Sequence, residues 1–360
     1  MKRTILLNPG PVNISERVRQ ALLREDICHR EDDFARLMAS IRSRLLRAFA
    51  PNDFTSVLIS GSGTAALEAA ISSSLDRGQR LLVVVNGVYG ERIARIASLH
   101  GIDVKAVRAE WTARPDLPRI EQILEEDRSI QALAMVHHET TTGLINPVRE
   151  VGALAKRHRK HFLVDSISGL GGEPLDLDAA GIDLCVGTAN KCVQGVPGVA
   201  FVLVRDTTME QLSTVQPRSL YLSLWENRHA QETGEPLFTP AIPAFYGLDE
   251  ALAELIEEGV EARTQRYARA SALIRQGCGA LGLSFLLPPE YRSHTITSMN
   301  LPPGFTYRTL HDQLKARGFV IYAGQGHLAP TIFRVANMGD VTLDEYQEFI
   351  QALTDVLNTH

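Results

Sequence analysis

Cysteine is scarce in this chain: Cys28, Cys185, Cys192 and Cys278 are its only four, and no two of them stand at CxxC spacing. That excludes a disulfide framework and a cysteine-based zinc site, and it fits reduced thiols in a cytoplasmic protein. Long apolar runs are also missing. None reaches membrane-spanning length, and the stretch Met1–Gly10 has only the three consecutive apolar residues Ile5, Leu6 and Leu7 before a polar turn, too few for a signal peptide. Charge of one sign does not accumulate. The formal net charge is −5, with basic and acidic residues interspersed and no basic stripe, so neither nucleic acid nor a membrane is an expected partner. No segment repeats with a period of about 20 to 50 residues, no low-complexity tract occurs, and the phosphate-binding pattern G-x-x-x-x-G-K-[ST] is absent, which removes the common nucleotide triphosphatases.

What the chain does have is enough apolar material, 44% of 360 residues, to bury a full core. Between about 55 and 205, short β-branched runs alternate with longer helix-like stretches: Val57–Ile59, Leu81–Val85, Ala132–Val136, Phe162–Val164, Ile182–Val186 and Val199–Val204. This alternation predicts an α/β fold with a mostly parallel sheet wrapped by helices, and ligands at the carboxyl ends of its strands. After Pro240 the pattern changes to a long helical stretch, roughly 243 to 280, then to short strands near 294–300, 319–322 and 332–336 with helices near 306–317 and 342–357. The expected division is a large unit over 1–240, including the N-terminal segment, and a smaller C-terminal α+β unit over 241–360.

Two residues at predicted strand ends carry the chemistry. Asp165 closes the run Phe162–Val164, and Lys191 follows the run Ile182–Val186. A pyridoxal phosphate enzyme needs this pair: a lysine to hold the cofactor aldehyde covalently, and an aspartate to keep the pyridine nitrogen protonated so that the ring accepts electrons. Taken singly, each residue also reads as a solvated loop residue.

The other motifs are tested against that pair. Ser60–Ala66 places Gly61, Ser62, Gly63 and Thr64 after a strand and before an alanine-rich helix expected over 65–74, where free N–H groups and the helix dipole favour an anion. The same spacing matches a dinucleotide fingerprint, which makes a nicotinamide oxidoreductase the rival from another class. That reading expects an acidic residue about 20 positions on, at the end of the next strand, and Asn86 stands there. Tyr89, on the glycine-flanked turn Asn86–Arg92, can lie on a flat heteroaromatic ring or simply cap the core. His137 and His138 are not expected to bind metal, because neighbours on a strand point to opposite faces and no third ligand stands at suitable spacing. Thr140, Thr141, Thr142 and Glu139 suit hydrogen bonding around a polar ligand, and Glu139 equally reads as an ordinary solvated turn residue, the reading preferred for it. Arg334 lies in an apolar run where a charge is costly unless paired; it is either a structural ion pair or a fork for a carboxylate or phosphonate. The run His29–Asp33 reads as a solvated face.

Together, Leu6–Pro11, Gly61–Thr64, Asn86–Arg92, His137–Gly143, Val164–Ser168, Ala189–Gly198 and Phe333–Gly339 resemble, in the right order and over essentially the whole chain, the class V aminotransferases of pyridoxal phosphate fold type I. The resemblance is strongest to the branch that transfers the amino group of 2-aminoethylphosphonate to pyruvate. The stretch Ser166–Gly171 leans toward the alanine:glyoxylate and serine:pyruvate branch, which stays as the alternative. The resemblance implies a small-molecule amine donor, a 2-oxo acid acceptor and a homodimer. It also implies roles for individual residues: Lys191 carries the cofactor, Asp165 pairs its pyridine nitrogen and Tyr89 stacks on the ring. Ser62, Gly63, Thr64 and Thr188 would hold the phosphate, joined by Thr239 from the second subunit. Thr141 would lie near the ring hydroxyl, and Arg334 would take the acidic group of the substrate. No metal is implied.

Overall fold

The computed structural model describes residues 3–50 and 52–358. At its centre is a seven-stranded sheet whose strands, numbered here in chain order within the sheet, are β1 (Phe54–Gly61), β2 (Arg80–Val85), β3 (Asp103–Arg108), β4 (Ile130–Val136), β5 (His161–Asp165), β6 (Leu184–Thr188) and β7 (Gly198–Arg205). Their spatial order is β1-β7-β6-β5-β4-β2-β3. All neighbours are parallel except β7, which runs antiparallel to both β1 and β6. The alternation of side chains is visible in the two cores: Val199, Phe201 and Leu203 pack with one face, Ala200, Val202 and Val204 with the other. A strand buried on both faces is apolar at nearly every interior position, which is why six of the seven strands contain continuous hydrophobic runs.

The sequence pattern does not predict β3. As the outer strand on the side opposite β1, it leaves Asp103 and Arg108 exposed and buries only Val107, so its composition resembles a loop. Two further boundaries differ from expectation. The alanine-rich helix begins at Gly63 and ends at Ser73, because Ser62 adopts the extended N-cap conformation. The helical stretch after Pro240 is two helices, Ile242–Glu258 and Val260–Ala280, separated at Gly259, whose φ of 86° breaks the helix.

A three-stranded antiparallel sheet forms the C-terminal unit, with Ile332–Ala336 between Ile296–Asn300 and Tyr322–Ala323. The packing crosses the expected boundary between 240 and 241 in both directions. Ile5–Leu6 pairs in parallel with Phe319–Val320, so the N-terminal segment is stitched to the C-terminal unit. The helix Ile242–Glu258 packs against the helix Asp32–Phe49, with Phe34 and Phe245 ring centroids 5.3 Å apart and Ser40 donating to Asp249 at 2.8 Å. Each fully buried side chain of this size contributes about 1.5–3 kcal/mol, so hydrophobic contact holds that helix against the helix Asp32–Phe49.

Candidate active site

Asp165 ends β5 in register with Val136 of β4 and Val186 of β6, at the carboxyl edge of the parallel strands. It is buried, and it accepts the N–H of Ile167 at 3.0 Å. Burial raises its carboxyl to about 6, while the Ile167 bond and the charges of Arg92 and Lys191 pull the other way. Lys191 follows β6 on a tight turn in which Gln194 N–H bonds back to its carbonyl at 2.9 Å. Its amine donates to the carbonyl of Pro9. Burial lowers that amine to about 8, and the nearby Arg334 and Arg92 charges act in the same direction. Gly10 is pressed against this side chain: with φ 107°, a Cβ there would stand 2.6 Å from Lys191 Cδ. The N-terminal turn thus forms one wall around the lysine.

Beside this pair lies the start of the helix Gly63–Ser73. Ala65 and Ala66 N–H groups bond to Ser62 O, and the Ser62 hydroxyl makes no capping bond. The N–H groups of Gly63 and Thr64 therefore have no partner inside the helix and are free for an anion. A Cβ on Gly63 would meet Ile167 Cδ1 at 3.0 Å, so this helix start abuts the segment that leaves Asp165. Thr188, at the end of β6, is buried and donates to Asn190 at 2.9 Å. The pyridoxal phosphate implied by the resemblance fits these residues. An exposed hydroxyl, unspent helix N–H groups, a buried carboxylate and an amine lowered toward neutrality supply a partner for each of its polar ends.

Tyr89 stands in the first turn of the helix Val88–Leu99 and not on a free turn. That helix has no side-chain cap of its own. Instead Thr141 Oγ1 accepts Val88 N–H at 3.0 Å and Glu139 accepts Gly90 N–H at 3.3 Å. Glu139 corrects the expectation of a solvated residue: it is fully buried, accepts the Thr141 hydroxyl at 2.6 Å, and is raised to about 7 by burial. Its proximity to Gly87, where a Cβ would fall 2.2 Å from Glu139 Cδ, shows why that position is glycine. Neither histidine of the pair holds a ligand set. His137 Nδ1 meets Ser166 Oγ at 3.0 Å and His138 Nδ1 meets Ser168 O at 3.2 Å, with burial lowering them to about 4 and about 3.

Arg334 occupies the middle strand of the C-terminal sheet, opposite Ser298 on one side and Tyr322 on the other. It is completely buried. Nε donates to Ala323 O at 2.8 Å, Nη1 to Thr140 O at 2.5 Å and to Gln325 Oε1 at 3.2 Å, and the Tyr322 ring centroid lies 5.0 Å from Cζ. Nη2 is buried with no acceptor. Among the described residues no carboxylate pairs with this guanidinium, which removes the structural ion pair as its explanation. Thr239 is exposed, between half-buried Phe238 and buried Pro240, and just beyond it Ala241 N–H bonds Ser60 Oγ at 3.3 Å.

Two further groups, buried Glu173 and half-buried Arg92, escaped sequence reasoning. Glu173 accepts His294 N–H at 2.7 Å and Thr295 Oγ1 at 3.0 Å, tying the loop after Asp165 to the C-terminal sheet; burial raises it to about 8. Arg92 is three residues beyond Tyr89, a helical spacing that alone hinted at a shared face.

Similarity to known proteins agrees with this geometry. The family model for class-V aminotransferases matches residues 15–342. A 2-aminoethylphosphonate–pyruvate transaminase of Syntrophobacter fumaroxidans is 39% identical over 360 residues, covering 98% of this chain and 96% of its own. One of Vibrio cholerae is 40% identical over 359 residues, covering 97% and 96%. The crystal structure of an alanine–glyoxylate aminotransferase from Nostoc sp. superposes with a TM-score of 0.94 at 30% identity, over 99% of this chain and 96% of that one. The chain belongs to the class-V aminotransferases and is a pyridoxal phosphate-dependent enzyme.

Proposed function

We propose that this enzyme transfers the amino group of 2-aminoethylphosphonate to pyruvate, giving phosphonoacetaldehyde and L-alanine. The observation that carries the reading is Arg334 Nη2, a buried guanidinium nitrogen without an acceptor. An unpaired buried charge is costly, so the site is built for an anionic ligand group. Relatives about 40% identical over almost their whole length are named for this reaction.

When bound, pyridoxal phosphate supplies an aldehyde that takes up the amino group and a ring that withdraws electrons from the donor carbon. The protein's part is positioning and proton movement. The N–H groups of Gly63 and Thr64 with the hydroxyls of Ser62, Thr64 and Thr188 would hold the phosphate, and Tyr89 would cover the ring. Asp165 would keep the proton on the pyridine nitrogen, and Thr141 would interact with the ring hydroxyl. Lys191, its amine lowered by burial, would take the proton from the donor carbon as base and deliver it as acid to the former aldehyde carbon of the cofactor. Arg334 holds the phosphonate in one half-reaction and the pyruvate carboxylate in the other, because its planar fork accepts either.

Arg334→Lys keeps the charge and loses the fork. Both half-reactions are expected to weaken by roughly 2 to 3 kcal/mol, with cofactor binding unchanged. Single-turnover absorbance with 2-aminoethylphosphonate, alanine and serine as donors, and pyruvate or glyoxylate as acceptors, checks this. Preference for alanine and glyoxylate would move the enzyme to the neighbouring branch of its family, and loss confined to the pyruvate half would place the phosphonate elsewhere.

The active unit in this reading is a homodimer that takes Thr239 from the second subunit. In support, Thr239 is exposed, and beside its loop Tyr221 stacks on Phe238 at 4.9 Å while Leu220 is 82% exposed, an apolar surface suited to a second copy. Light scattering is expected to give twice the 39.6 kDa chain mass; a fully active monomer refutes it. The setting is cytoplasmic in this reading, in keeping with four unpaired cysteines, and subcellular fractionation tests that.

A further inference from the structure

Arg92 is a cation whose charge the protein leaves open. Its side chain leaves the helix Val88–Leu99 on the same face as Tyr89, with Cζ 4.6 Å from the Tyr89 ring centroid. Nη1 donates to Thr64 Oγ1 at 3.3 Å. The acid next to it in sequence, Glu91, is already engaged by Arg108, at 3.2 Å from Nη2 and closer from Nη1. Among the described residues no carboxylate lies within ion-pair distance of Arg92. Yet its field reaches both reacting positions: it opposes the rise of the Asp165 carboxyl and helps lower the Lys191 amine. The guanidinium therefore stands where the first turn of the helix Gly63–Ser73 meets the Asp165–Lys191 pair, bonded to a residue of that turn and to no acid.

We propose that Arg92 is a further arm of the phosphate cradle, donating to the phosphate of pyridoxal phosphate alongside Ser62, Gly63 and Thr64. A phosphate monoester carries close to two negative charges at neutral pH, and one helix N-terminus supplies only about half a positive charge. A guanidinium beside Thr64 provides the missing charge, with a donor geometry that suits phosphoryl oxygens. Its stacking on Tyr89 fixes the fork and, through it, ties the ring-covering tyrosine to the phosphate. The inference rests on the cofactor and is independent of which amine is the donor.

The phosphonate of the proposed substrate has the same chemistry, so the test separates the two sources. The cofactor is stripped from full-length holoenzyme, and pyridoxal phosphate or pyridoxal, which lacks the phosphate, is titrated back into wild type, Arg92→Gln and Arg92→Lys while absorbance is followed. Arg92→Gln is expected to weaken pyridoxal phosphate by roughly ten- to a hundredfold and pyridoxal by no more than about twofold, with Arg92→Lys in between. Equal weakening of both compounds would mean that Arg92 only supports Tyr89, and the proposal fails. Unchanged affinity for both, with a raised KM for 2-aminoethylphosphonate and an unchanged KM for alanine, would hand Arg92 to the substrate and likewise overturn it. If Arg92→Gln does not fold, the same comparison on Arg92→Lys decides, because that variant keeps the charge and loses only the fork.

Discussion

Lys191→Ala is expected to abolish turnover, with a loss on the order of 10²–10⁴ from proton transfer alone and more from the missing covalent anchor. Borohydride should fix the cofactor to wild-type Lys191 and to no residue of the variant; a reduced peptide carrying the cofactor on another lysine would end this assignment. The lowered amine adds a pH signature. Burial disfavours the ammonium, so the reactive neutral amine grows as pH rises through about 8. Roughly a tenth of it is neutral at pH 7 on that value, against well under a thousandth for an ordinary lysine. The rate at which stripped enzyme captures pyridoxal phosphate should therefore level off above pH 8. A rate still climbing past pH 10 would show that the fold does not prepare this lysine.

Asp165→Asn is expected to keep the cofactor and lose turnover by a factor of about 10²–10³, the usual consequence of removing one preorganised charge from a reacting centre. The substitution is nearly isosteric, and its side-chain oxygen can still accept Ile167 N–H. What disappears is the negative charge facing Arg92 and Lys191, and with it the means of holding a proton on the pyridine nitrogen. The phosphate contacts and Lys191 remain, so retention of the cofactor through gel filtration with turnover lost is the expected pair of results. Near-normal turnover would remove Asp165 from the chemistry.

Much of the large sheet was legible because strands buried on both faces are apolar along most of their length. β7 reads as strongly as β5 for that reason, although one is antiparallel and the other parallel; hydrophobicity carries no direction. β3 was illegible for the opposite reason, since an edge strand with one wet face obeys alternation and looks like a loop. Glu139 shows the same limit within the site. In sequence it is an acid in a turn, and only the fold reveals that the helix Val88–Leu99 offers it the N–H of Gly90 and that it is shut off from solvent.

Sequence by itself determined six strands of the large sheet, the place of Asp165 at the end of one apolar run and of Lys191 after another, and the anion-favouring start of the helix after β1. These are local properties, set by periodicity and by residue types within a few positions of one another. Tertiary structure decided the rest. It brought Pro9 and Gly10 against Lys191 across a separation of about 180 residues, left Arg334 without an acid although it is completely buried, and set Arg92 on Thr64 with its charge open. Whether a charge is paired depends on which distant side chains reach it, and that is settled by packing, which no local pattern in the chain encodes.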